Sequence, residues 1–113
     1  MIDAYRDVAP RGALEELAAL AEALKGRTLH HINATPTGGG VAELLTRLVP
    51  WTDALGIPTT WEALPPNPAF FEVTKTLHNA LQGADVELTA ADLELYRETL
   101  RAVAPRLRLD ADL

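Results

Sequence analysis

The 113-residue sequence predicts an α/β fold: a parallel βαβ unit with additional packing helices and an incomplete sheet. Two observations carry this. A short run rich in β-branched and apolar residues (Thr28, Leu29, Ile32) leads through Asn33–Thr37 into three successive glycines, and an apolar pattern at helical spacing follows (Val41, Leu44, Leu45, Leu48). After Gly56 and Pro58 a second extended run, Thr59–Leu64, completes strand, helix and strand, a crossover of the length that makes the two strands parallel neighbours.

Taken in order, the first ten residues form an arm whose one large anchor is Tyr5. Between Arg11 and Lys25, Leu14, Leu17, Ala21 and Leu24 make one helical stripe with Glu15, Glu16 and Glu22 off it, and Gly26 closes the helix. The first strand spans about Arg27 to Ala34. Its side chains alternate, so His30 and His31 point to opposite faces and do not share a metal ion; one is expected in the core, the other toward a ligand crevice. The following helix should run from Gly40 to Leu55 and bend near Pro50, which removes one backbone hydrogen bond.

Beyond the second strand, Asn67 is placed to cap a helix that has Pro68 at its first position, with Phe70, Thr74, Leu77 and Leu81 as its stripe and Gly83 as its end. His78 and Asn79, near that end, are positioned to cap its carbonyls. A last helix opens at Thr89, with Asp92 as a shortened capping box, and presents Leu93, Tyr96, Leu100 and Val103 before Pro105. RLRLDADL then alternates as a third strand would, with Leu107, Leu109, Ala111 and Leu113 on one side.

Composition narrows the functional classes. A formal charge of −6 opposes sequence-independent nucleic-acid binding and attraction to an anionic membrane surface. Without cysteine there are no disulfides, thiolate metal sites or cysteine nucleophiles. No apolar run approaches the ~20 residues of a membrane span, and the chain reads as cytoplasmic, with no cofactor and no metal expected. The glycine turn Gly38–Gly40 is the candidate site. Glycine adopts positive φ freely and lets a ligand approach the backbone, and the first amides of the helix lack intrahelical partners. They suit a phosphate or a sugar hydroxyl; the alternative is a tight turn that binds nothing.

The succession YRDVAP, LKGRTLHHINATPTGGGVAELL, LVP, WEAL and PAFFEVTKTLHNALQG resembles the N-terminal region of the glycosyltransferring trehalose synthases and the related trehalose phosphorylases. The likeness covers about Tyr5 to Asp112. It implies a retaining glycosyltransferase of the GT-B fold, two Rossmann-like domains facing across a cleft, with residues 1–113 forming part of the acceptor-side domain. It further implies transfer of glucose from a nucleoside diphosphate glucose to glucose, giving trehalose, without a required metal. Gly38, Gly39 and Gly40 match the turn beneath the donor diphosphate, and Thr35, Trp61, His78 and Asn79 are expected near the sugar. Since the donor domain lies outside these residues, the chain alone is expected to be inactive, and its unpaired strand edges point to a homodimer.

Two other readings compete. A dinucleotide-binding βαβ unit would use Gly38, Gly40 and Glu62 but meets Glu43 where its third glycine belongs. In a non-catalytic interaction module, the amphipathic helices and the incomplete sheet would serve association only.

Overall fold

In a computed structural model that describes residues 2–113, the chain divides into two compact units, the first reaching Leu64 and including Arg108–Leu113, the second spanning Pro65–Leu107. The first unit opens with a short 3-10 helix, Ile2–Tyr5, and holds α1 (Ala13–Ala23), β1 (Leu29–Asn33), α2 (Gly40–Ala54) and β2 (Thr59–Ala63). The predicted stripe of α1 is the one turned inward, with Ala21 buried and Leu14, Leu17 and Leu24 half-buried.

The two strands are parallel, with Leu29 opposite Thr59 and Asn33 opposite Ala63. A parallel pair needs a covering layer, and α2 supplies it by packing on β2, with Ala42, Leu45, Ile57 and Thr59 buried. This corrects the expected face of α2. Ala42 and Leu45, with Val49 half-buried, point inward, whereas Val41 and Leu44 are about 60% exposed. The apolar residues of α2 occupy more than one stripe, and two strands offer room for only one of them. Tyr5 does anchor the arm, its ring meeting that of Trp51 edge to face at 4.8 Å between centroids.

The segment from Arg108 to Leu113 is a strap and not the regular third strand expected of RLRLDADL. Only at Leu113 does it join the sheet: its N–H donates to Thr28 O and its carbonyl accepts from His30 N–H, the two bonds of a parallel ladder step against Leu29. Elsewhere side chains bind the strap. The Asp112 carboxylate accepts from the Thr28 amide (2.7 Å) and hydroxyl (2.9 Å), and the Glu62 carboxylate accepts from the Arg108 amide (2.7 Å).

The second unit is a helical pair, α3 (Pro68–Leu81) and α4 (Ala90–Val103), closed by a 3-10 turn at Ala104–Arg106. Both starts follow the sequence: Asn67 accepts from the Phe70 amide, and Thr89 and Asp92 form a reciprocal capping box. Phe70, 4% exposed, stacks on Tyr96 at 5.5 Å, which holds the pair together. On α4 the inward residues are Leu95, Tyr96, Thr99 and Val103, while Leu93 and Leu100 are more than a third exposed. The expected stripe is therefore rotated, because the stack on Phe70 fixes which way Tyr96 faces.

Candidate functional site

The turn between β1 and α2 contains two glycines in conformations that other residues resist. Gly38 has φ 72° and Gly39 has φ 79° with ψ 156°, a region open to glycine almost alone. No heavy atom lies within 4 Å of where a Cβ would stand on Gly38, Gly39 or Gly40, so backbone conformation, and not crowding within the chain, is what demands glycine at the first two. Gly40 is already the first residue of α2 and has no positive φ.

A pocket of about 380 Å3 opens over this turn, lined by Pro36, Thr37, Gly38, Gly39, Ala42, Glu43 and Thr46. Its polar groups are hydroxyls, one carboxylate and the backbone. Among the described residues neither Lys nor Arg lines it, and Gly40 is likewise not part of the wall.

Three hydrogen bonds in series brace the turn from the sheet. The Trp61 indole N–H donates to the Asn33 side-chain oxygen (2.8 Å), the Asn33 amide donates to Thr35 O (2.8 Å), and the Thr35 hydroxyl donates to Gly38 O (3.4 Å, a long bond). Trp61, Thr35 and Gly38, each singled out from sequence, are thus joined in one network. Asn33, which joins them, was missed, although an asparagine closing a strand before a glycine turn signals a side chain that bonds the backbone.

His78 and Asn79 lie on the last turn of α3, in the second unit. Contrary to expectation, among the described residues neither side chain caps the helix. The last carbonyls accept from the backbone amides of Gln82, Gly83 and Ala84, and Gly83, at φ 89°, allows this closure.

The two adjacent histidines separate as strand alternation requires. His30, with a side chain 5% exposed, lies between Thr60 Oγ1 (2.7 Å from Nδ1) and Glu62 Oε1 (2.9 Å from Nε2). Since a carboxylate only accepts, Nε2 carries a proton toward Glu62. Glu62 is held below the ordinary glutamate range chiefly by this bond, then by the Arg108 amide. On the other face, the Nε2 of His31 is buried without a partner among the described residues. Glu62, which a dinucleotide site would turn toward a ribose, is committed to His30 and the strap. No three His, Asp or Glu side chains among the described residues gather as a metal site.

Comparison with known proteins places the chain in a family. The family described as "Trehalose synthase, N-terminal domain" matches residues 31–113, from the middle of β1 through the glycine turn to the strap. The chain belongs to that family. It is 47% identical over 103 residues to a trehalose synthase of Rubrobacter xylanophilus, covering 91% of the chain and 25% of that protein. A trehalose synthase of Thermococcus litoralis is 43% identical over 98 residues (86% and 24%), and a trehalose phosphorylase of Pleurotus pulmonarius 32% over 99 residues (86% and 13%). The chain therefore spans about a quarter of the trehalose synthases it matches. As in the sequence reading, the fold is a partial α/β unit with an incomplete parallel sheet. None of its helices is long and apolar enough to cross a membrane, among the described residues.

Proposed function

We propose that this chain is the glycine-turn part of a cytoplasmic retaining glycosyltransferase of GT-B architecture, which moves glucose from a nucleoside diphosphate glucose to glucose to form trehalose. The observation that carries the reading is the open pocket at Gly38 and Gly39, within the segment that matches the family. In this assignment the first amides of α2 stabilise charge on the departing diphosphate. Glu43, Thr37 and Thr46 meet the transferred sugar, whose neutral hydroxyls tolerate a carboxylate that a phosphate would not. Thr35 and Trp61 brace the turn, and His78 and Asn79 belong to the sugar cleft of the complete enzyme.

Because the trehalose synthases it matches are about four times as long, these 113 residues alone are assigned ligand contact without transfer. Orientation of donor and acceptor can account for ~7 to 11 kcal/mol of a barrier, and one side of the cleft does not supply it. The exposed Val41, Leu44 and Leu48 on α2 support a homodimer, which light scattering at tens of micromolar would detect and a monomer mass would reject.

The test is an NMR titration of the chain with nucleoside diphosphate glucose, glucose and nicotinamide dinucleotide, each alone. Shifts at the Gly38 and Gly39 amides with the nucleotide sugar are expected. Shifts with the dinucleotide only would overturn the reading, as would trehalose formed by the purified chain for the claim of inactivity.

A further inference from the structure

A second cavity, of about 250 Å3, lies further along α2 and is lined by Tyr5, Thr46, Arg47, Pro50 and Trp51. Its walls differ in kind from those of the glycine pocket. The rings of Tyr5 and Trp51 meet at 75°, so they form a corner of two aromatic surfaces. Pro50, inside the helix, has no N–H to give to the carbonyl four residues earlier, which is that of Thr46. Thr46 itself lines the cavity, so the carbonyl that Pro50 deprives of its usual helical donor belongs to a residue of the wall. Arg47 has no carboxylate within ion-pair distance among the described residues, so its guanidinium is available as a donor. An aromatic corner, a residue whose carbonyl lacks its usual helical donor and an arginine without an ion-pair partner among the described residues thus line one cavity.

We propose that this cavity is a second sugar site, which takes a single neutral hexose ring. A pyranose has an apolar C–H face and a rim of hydroxyls, and a pocket of mostly apolar walls with a few fixed polar groups matches that division. The C–H face lies against the aromatic corner, one hydroxyl donates to Thr46 O, and a neighbouring hydroxyl accepts from Arg47. No covalent step is involved. This inference does not rest on the function proposed for the glycine turn, since its residues other than Thr46 lie outside that pocket.

The two tryptophans give separate readouts, because the indole N–H of Trp61 is committed to Asn33, whereas Trp51 lines this cavity. Titration of the full chain with glucose, followed by 1H–15N NMR, is expected to move the Trp51 indole signal along a saturating curve and to leave that of Trp61 in place. Arg47→Ala, which removes one charge-assisted hydrogen bond, should weaken this binding about tenfold. Tyr5→Ala, on the exposed arm, should weaken it without unfolding the chain, as circular dichroism would verify. Three results would overturn the proposal: a linear Trp51 response with no saturation; glucose affinity unchanged in both variants; or a larger Trp51 response to inorganic phosphate than to glucose, which would make the cavity an anion site for Arg47. If glucose moves only the Gly38 and Gly39 amides, the second site is rejected and the function proposed for the turn stands.

Discussion

Two polar regions lie on the same pair of strands, and they use their polarity in opposite ways. Around His30, the imidazole, the Thr60 hydroxyl, the Glu62 carboxylate and the Arg108 amide are paired with one another. At the far end of β1, the network from Trp61 through Asn33 to Thr35 ends on Gly38, and beyond it Thr37, Gly38, Gly39, Ala42 and Glu43 line an open pocket. A buried polar group costs free energy unless it is hydrogen-bonded, so the first region is what a fold requires. The second braces the glycine turn and ends at an open pocket, where the proposed function puts the ligand. Histidine and glutamate in a strand attract a catalytic interpretation, yet here they are paired with each other, and the pocket is walled by the plainer residues around the glycines.

Substitution at the paired region should have the largest effect on stability. His30→Ala removes a buried ring and strands its partners, and is expected to cost about 2 to 4 kcal/mol in urea unfolding. If the loss were negligible, the cluster would be as open as the glycine pocket and the contrast would fail. Gly39→Val comes next, at about 1 to 3 kcal/mol, because valine is forced into a conformation that glycine alone tolerates. Its signature is a double one: destabilisation together with loss of the ligand-induced shifts, where His30→Ala gives the first and, in molecules that remain folded, not the second.

How much of this could be read from the sequence depends on the range of each interaction. The glycine turn, the Asn67 cap and the Thr89–Asp92 box are settled within a few residues, and each appears where the sequence puts it. The inward face of α2 is a tertiary choice among overlapping apolar stripes, made by how much sheet there is to cover. The pairing of His30 with Glu62 spans 32 residues and that of Thr28 with Asp112 spans 84, and no local pattern marks either. Alternation in RLRLDADL puts Leu107, Leu109, Ala111 and Leu113 on one side. Leu109, Ala111 and Leu113 do line one cavity with His30 and Ile32, but Arg108 from the other side lines it too and Leu107 does not. Nor does the pattern reveal that side-chain bonds replace most of a ladder.

Between the two regions stands Asn33, which serves the brace alone. Asn33→Ala removes both of its side-chain hydrogen bonds and should cost about 1 to 2 kcal/mol, with chemical-shift changes at Gly38 and none at His30. Changes of equal size in both places would mean that the regions are one network.

The smallest effect concerns the strap and pH. Glu62 is held below its ordinary value of 4.5, first by His30 and then by the Arg108 amide, and Asp112 below 3.8 by the amide and then the hydroxyl of Thr28. A lowered pKa in the folded state means that these bonds stabilise the strap above the ordinary values and lose that contribution as pH falls through the lowered ones. Hydrogen exchange at the amides of His30, Arg108 and Leu113, corrected for its intrinsic pH dependence, should thus show constant protection from pH 7 to about 5 and a decline below about 4. The Gly38 and Gly39 amides, which depend on neither carboxylate, should show no such step.

The most direct test of the contrast is a single NMR titration of the chain with nucleoside diphosphate glucose, observed simultaneously at the Gly38 and Gly39 amides and at the His30 ring. Saturating shifts at the two glycines with an unmoved His30 ring are the predicted result. A His30 ring that shifts while the glycine amides stay still would contradict it, and would place the ligand on the region assigned here to structure.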